Sequence, residues 1–145
     1  FTTCYVFGQD QKLADSLIRL YESGNYQQNE LELLTNITEE ETNPDRKLEF
    51  SELLIRKASI DSSFKFLYNG FLQKGYALQF KGQNVKALES FFKSLDFSNR
   101  TNDEYGSGSL MVSIGDTYSN MGNSNNAQNY YNKGIKILRK LANFT

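Results

Sequence analysis

The residue types that carry out covalent or metal chemistry are nearly missing from these 145 residues. There is no histidine and only one cysteine, Cys4. Without an imidazole, neither a Ser-His-Asp nor a Cys-His centre can be assembled, and zinc lacks its usual ligands. One thiol forms no internal disulfide, so cysteine pairing does not report the compartment. What remains are carboxylate pairs, Glu39/Glu40 and Asp103/Glu104, that could share acid–base work. Both fall at helix ends, where no low-dielectric pocket would shift a pKa, and capping and solvation are the expected roles. Gly106-Ser107-Gly108 is not a phosphate loop, because no strand precedes it and no Gly-Lys-Ser/Thr follows. Asn36-Ile-Thr38, Asn99-Arg-Thr101 and Asn143-Phe-Thr145 fit the glycosylation acceptor pattern, which an asparagine-rich chain also produces by chance. No catalysis, no metal and no cofactor are expected. The chemistry left to the chain is non-covalent recognition.

Composition narrows the partners. The apolar share is 39% with 14% aromatic residues, enough to bury a core in one compact domain. Net charge is −1, and lysines and arginines read as scattered singly, which argues against a nucleic-acid or acidic-membrane binder. No apolar run approaches the ~20 residues that span a bilayer. Residues 1–9 begin with the apolar Phe1–Gly8, followed by polar Gln9-Asp10-Gln11-Lys12. Val6 and Gly8 suit the −3 and −1 positions of a signal-peptidase site, so the segment reads as a signal-peptide remnant and implies an extracytoplasmic, periplasmic location. The other reading is an apolar arm packed on the first helix of a cytoplasmic chain.

The elements that would position a binding face are helices. Apolar residues recur at helical spacing throughout, and no alternating strand pattern competes. About seven helices are expected, all-α, in a single domain over 10–145. A leading helix lies in 10–26, running Leu13 to Gly24. Tyr26–Glu41 and Asn43–Ile60 follow, with Asn43 capping and Pro44 in the first turn. Asp61 or Ser62 caps Phe64–Lys81, and Val85–Phe97 is its partner. A polar connector, Asn99–Asp103, leads to a helix ending at Met121, with Thr101 and Glu104 as a capping box. Ser124–Leu141 closes the series.

Two of these hairpins are one pattern written twice. Gly75 recurs as Gly115, Gly82 as Gly122, Ala87 as Ala127 and Phe91 as Tyr131, each forty residues on. A fixed period of this size marks a stacked helical repeat. Small residues let the helix axes approach, Gly75 against Ala87 and Gly115 against Ala127, with Ser94 and Gly134 as a third small position.

Phe71-x2-Lys74-Gly75-x2-Leu78 with Ala87-x3-Phe91 resembles the tetratricopeptide repeat signature. Met111-x2-Ile114-Gly115-x2-Tyr118 with Ala127-x3-Tyr131 matches it more closely. The units are 68–107 and 108–145, preceded by a degenerate unit, 28–67, with Thr35 and Thr42 in place of the glycines and Lys47 in place of the alanine. The period is longer than the family's usual 34 residues, and the closing proline is missing. The resemblance implies antiparallel hairpins stacked as a right-handed superhelix. The forty-residue variety is similar to arrays that precede the membrane segment and histidine kinase, or the DNA-binding domain, of bacterial signalling proteins.

In such arrays the first helix of each hairpin lines the concave surface, which takes a protein or peptide. The positions implied here are Asn69, Leu72, Gln73, Tyr76, Gln79 and Phe80, then Ser109, Val112, Ser113, Asp116, Ser119 and Asn120. The degenerate unit adds Asn29, Glu32, Asn36 and Glu39. One reading makes Tyr76 and Phe80 apolar anchors for a peptide; the other buries both between repeats. Members of the family that grip chaperone C-terminal carboxylates place lysine, asparagine and arginine here. No such cationic clamp is present, which argues against that class. The last helix would leave apolar surface for a further repeat or for self-association through the terminal repeats. A sensor or interaction module of a signalling protein is expected, with a free-standing scaffold as the alternative.

Overall fold

The computed structural model describes residues 10–143. The suggested signal remnant at residues 1–9 lies outside them, as do the last two residues of the Asn143-Phe-Thr145 sequon. Among the described residues there are seven helices and no strand: α1 Gln11–Ser23, α2 Glu30–Glu40, α3 Pro44–Ile60, α4 Phe64–Phe80, α5 Asn84–Arg100, α6 Glu104–Asn120 and α7 Ser124–Ala142. Consecutive helices pack as hairpins, and α2 also meets α4. This is an all-α, tetratricopeptide-like repeat solenoid.

The chain writes its own stops. Asp10, Asn29, Asn43, Asp103 and Asn123 each accept a bond from an amide of the following first turn, satisfying donors no helix can satisfy internally. Pro44 follows Asn43 where its missing N–H is harmless. Two expected caps differ. The cap of α4 is Ser63, not Asp61 or Ser62, and its side chain makes no capping bond. The cap of α6 is Asp103, not Thr101; the Thr101 hydroxyl instead donates back to Phe97 and Ser98 carbonyls and closes α5.

Helices α4, α5, α6 and α7 begin at residues 64, 84, 104 and 124. Each follows a three-residue turn whose middle residue is at positive φ: Ser62 at 49°, Gly82 at 71°, Asn102 at 54° and Gly122 at 73°. Glycine takes this left-handed conformation without strain inside the two hairpins, and Asn102 is the residue type that tolerates it next best. α4, α5 and α6 are 17 residues long, so two helices and two turns make a repeat longer than the usual one. The unit boundaries expected at 68 and 108 fall inside α4 and α6; the hairpins are α4–α5 and α6–α7.

The first hairpin, α2–α3, is built differently. α2 has 11 residues, and residues expected to open it, from Tyr26 to Asn29, precede the helix. Its turn lacks a left-handed residue. In compensation the side chain of Glu41, fully buried, accepts the Asn43 amide at 2.8 Å and lies 3.2 Å from Arg46 Nε. Arg46 reaches on to Asp15 of α1, also at 3.2 Å, and Gln11 accepts from the Thr42 amide at 2.9 Å. α1 thus holds the turn that glycine holds elsewhere.

The core divides in two. Ile18, Leu31, Leu33, Leu34, Ile37, Leu54, Ala58 and Leu67 join α1 to α4. Leu78, Ala87, Leu88, Phe91, Leu110 and Ile114 join α4 to α6. The repeated glycines lie at the crossings. A β-carbon on Gly75 would collide with the Phe91 ring, and one on Gly115 would lie 2.7 Å from the Tyr131 ring and 3.2 Å from the Ala127 carbonyl. The Gly115 position meets the Ala127 backbone as well as the Tyr131 ring, and the nearest atoms to the Gly75 position are those of the Phe91 ring. At Gly134 the neighbour is backbone, the β-carbon position lying 2.6 Å from the Gly108 carbonyl. Gly82 and Gly122 have open space around them and serve the turns alone.

Candidate functional site

Antiparallel hairpins put the first helices, α2, α4 and α6, side by side and parallel. Side-chain bonds link them on that side. Tyr76 Oη and Ser113 Oγ are 3.0 Å apart, and Gln79 Nε2 donates to Thr117 Oγ1 at 3.0 Å, joining α4 to α6. Thr117 passes its own proton to the Ser113 carbonyl at 2.8 Å. On the other side of α4, Lys47 Nζ donates to Gln73 Oε1 at 3.0 Å and to the Thr38 carbonyl at 2.6 Å.

This ladder separates the expected partner-facing residues into two sets. Gln73 and Ser113 are buried, and their polar atoms are engaged between helices. They belong to the packing and not to the exposed face. Tyr76 is half-buried: its ring meets the Phe91 edge at 5.3 Å, it packs on the second core, and desolvation holds its phenol above the ordinary value. The peptide-anchor role expected for Tyr76 gives way to a core role, because the ring packs on Phe91 and the hydroxyl is engaged by Ser113. Asn69, Leu72, Gln79, Ser109 and Val112 are also half-buried.

The second set is open. Phe80 is 62% exposed on α4, and Tyr105, one turn before Ser109 on α6, is 70% exposed. Asp116, Ser119 and Asn120 on α6 are exposed, as are Asn29, Glu32, Asn36 and Glu39 on α2. Glu39 carries a carboxyl raised above its usual range, first by loss of water and then by the neighbouring Glu40. Asp116 accepts from Tyr131 Oη at 2.7 Å. The repeat positions Gly75, Ala87, Phe91, Gly115 and Ala127 are buried, while Gly82 and Gly122 are exposed turn residues and Tyr131 is half-buried.

Lys47 is the residue the sequence reading placed only as a misfit. Its side chain is 1% exposed, and burial pushes its amine down to about 8, opposed by Glu41, Glu39 and Glu40. The Thr38 carbonyl it binds belongs to the last turn of α2, one of the groups a helix end leaves without an internal partner. Lys47 therefore caps α2 and pins it to α4 at once. The signal in sequence was a lysine at a position that reads alanine in both later repeats.

The opposite side, made by the second helices, exposes Val85 and Phe92 of α5 and Ile135 of α7. A cleft among α3, α4 and α5 is floored by Leu48, Phe71 and Leu78, but Lys74 there is paired with Glu52 at 2.9 Å and Lys93 lies over the Phe71 ring at 5.3 Å. Among the described residues no group of three or more Cys, Asp or Glu is arranged to hold a metal ion, and no helix is long and apolar enough to cross a membrane. The glycosylation pattern at Asn36 lies within α2, and its Thr38 is fully buried with its hydroxyl donated to the Thr35 carbonyl.

Residues 109–139, most of α6 and α7, match the family model of the tetratricopeptide repeat. No curated protein and no solved structure matches the chain.

Proposed function

We propose that this chain, a helical array of the tetratricopeptide repeat family, works as a non-catalytic protein-interaction module whose first-helix face takes a peptide or protein segment. The observation that carries this reading is the exposed set on the first helices, Phe80 on α4 with amides and carboxylates on α2 and α6. Phe80 supplies apolar contact. Asn36, Ser119 and Asn120 supply donors and acceptors for an extended backbone, the usual division of labour in a peptide groove. The ladder beneath, from Lys47 through Gln73 and from Tyr76 through Thr117, fixes the helices so that the face is formed before a partner arrives.

The context we favour is the input domain of a bacterial signalling protein, a histidine kinase or DNA-binding regulator, with the array outside the cytoplasm. The support is the similarity of the forty-residue repeat to such arrays and the apolar Phe1–Gly8 stretch. A free-standing scaffold is the alternative. Selection of a displayed peptide library on the immobilised chain tests the binding function. Enrichment of a sequence class that Phe80→Ala/Asn120→Ala no longer retains supports it; retention unchanged by both substitutions would overturn it. Sequencing the reading frame on both sides of the segment decides between sensor and scaffold.

A further inference from the structure

Charge is unevenly distributed along the array. α2 carries five glutamates, Glu30, Glu32, Glu39 and Glu40 with Glu41 at its end, and no lysine or arginine. α7 carries Lys133, Lys136, Arg139 and Lys140 and no acid. The expectation of evenly scattered cations fails here. Between these helices, residues 42–122 are close to neutral.

Part of the acidic set and all of the basic one face outward, Glu41 being buried against Arg46 and Glu30 paired with Lys57. Glu32 and Glu39 on α2 are exposed, and so are all four cations of α7. Among the described residues, Glu32, Glu39, Lys136 and Arg139 form no ion pair. Lys133 lies over the Tyr130 ring at 5.2 Å, and Lys140 comes only to 3.9 Å from Glu104. Glu32, Asn36 and Glu39 fall at i, i+4 and i+7, and Lys133, Lys136 and Lys140 at i, i+3 and i+7. Each row spans two helical turns, roughly 10 Å. Each helix group also exposes an apolar residue, Phe80 on α4 and Ile135, 38% exposed, on α7.

We propose that a second copy of this chain covers the first-helix face, laying the outward cations of its α7 against the glutamates of α2. The inference rests on the first-helix face being the interaction surface, as argued above, and names its occupant. Lys136 is set opposite Asn36 and the outer cations opposite Glu32 and Glu39, α7 running antiparallel to α2. The joined surfaces are different parts of the chain, so the contact is heterologous: each copy offers one face and one α7, and copies add head to tail. Opposite charges across the join attract at a distance that salt screens.

Sedimentation velocity of the whole chain tests this at about 50 and about 500 mM NaCl. The expected result is a mass that rises with concentration at low salt, with association weakened at least about tenfold at high salt. Glu32→Lys/Glu39→Lys and Lys136→Glu/Lys140→Glu should each stay monomeric alone, with helicity unchanged by circular dichroism. Mixed in equal amounts they should associate again and in alternation, because the mixture holds one intact pair of surfaces and one pair with its charges exchanged. A wild-type chain that stays monomeric, association indifferent to either variant, or a mixture that fails to pair would each overturn the proposal. If the Phe80→Ala/Asn120→Ala variant still loses displayed peptides in that case, the binding face stands and only its occupant is wrong.

Discussion

Tyr131 Oη donates to Asp116 Oδ1 at 2.7 Å, and these two residues stand where Phe91 and Tyr76 stand one repeat earlier. In the earlier pair the hydroxyl is on the first helix, and it reaches forward to Ser113 of the next hairpin. In the later pair the hydroxyl is on the second helix and stays within its own hairpin. The exchange replaces an aromatic contact and a bond between hairpins with a polar contact inside one hairpin. The two pairs should therefore differ in what they contribute.

Tyr76→Ala removes a ring packed against Phe91 and the bond to Ser113. It should destabilise the chain by about 3 kcal/mol, as for other buried aromatic truncations. Tyr131→Phe removes one exposed hydrogen bond and should cost about 0.5 kcal/mol. Phe80→Ala, on an exposed side chain, should leave stability within about 0.5 kcal/mol while weakening capture of a peptide. Urea unfolding of the three variants measures the order. Equal losses for Tyr76→Ala and Phe80→Ala would mean that the two aromatics share one environment.

The glycines separate close approach from turn geometry. Gly134→Ala places a methyl group 2.6 Å from a backbone carbonyl that cannot swing away, so the hairpin must open. A loss of about 2–3 kcal/mol is expected. Gly82→Ala meets nothing within 4 Å, and only the left-handed conformation at φ 71° resists it, a loss of about 1 kcal/mol. Thermal melts of both variants check the ranking. A larger loss at Gly82 would mean that turn conformation, and not helix contact, limits stability.

Much of this was legible in the sequence because the signals are local. Gly82 and Gly122 end helices by backbone geometry alone, and Asn43-Pro44 opens one by its missing N–H. The forty-residue spacing of Gly75 and Gly115 gave the hairpin crossings. What was not legible depends on contacts between elements. Whether Tyr76 points to a partner or to the core is decided by Phe91 and Ser113, 15 and 37 residues away. The turn at Glu41 depends on Arg46 and on α1, which no local pattern announces. The Thr101–Glu104 capping box failed for a related reason: α5 runs on to Arg100, and Thr101 is spent closing it. Gln73 and Ser113 read as exposed from helical spacing alone, yet a neighbouring helix covers them.

Lys47 gives the last prediction, in pH. Its amine sits near 8 in the folded chain against an ordinary 10.5. Below pH 8 the amine is charged in both folded and unfolded chains, so the full penalty for burying the charge applies. Between about 8 and 10.5 the folded chain sheds the proton first, the unfolded chain binds more protons, and stability rises with pH. Above pH 10 the tyrosines act in the opposite sense. Tyr68, pushed up to about 12 by burial and then by Asp103, and Tyr76, Tyr130 and Tyr131, raised chiefly by burial, lose their protons first in the unfolded chain. Stability should therefore climb by about 2 kcal/mol from pH 7 to pH 9.5 and fall beyond it. Lys47→Met keeps the volume and removes the titration, so the climb should vanish while the fall at higher pH persists. Urea midpoints at pH 7, 9.5 and 11 for both chains measure this, and a wild-type midpoint that is flat or falling from 7 to 9.5 would show that the Lys47 ammonium is not held at a cost between α2 and α4.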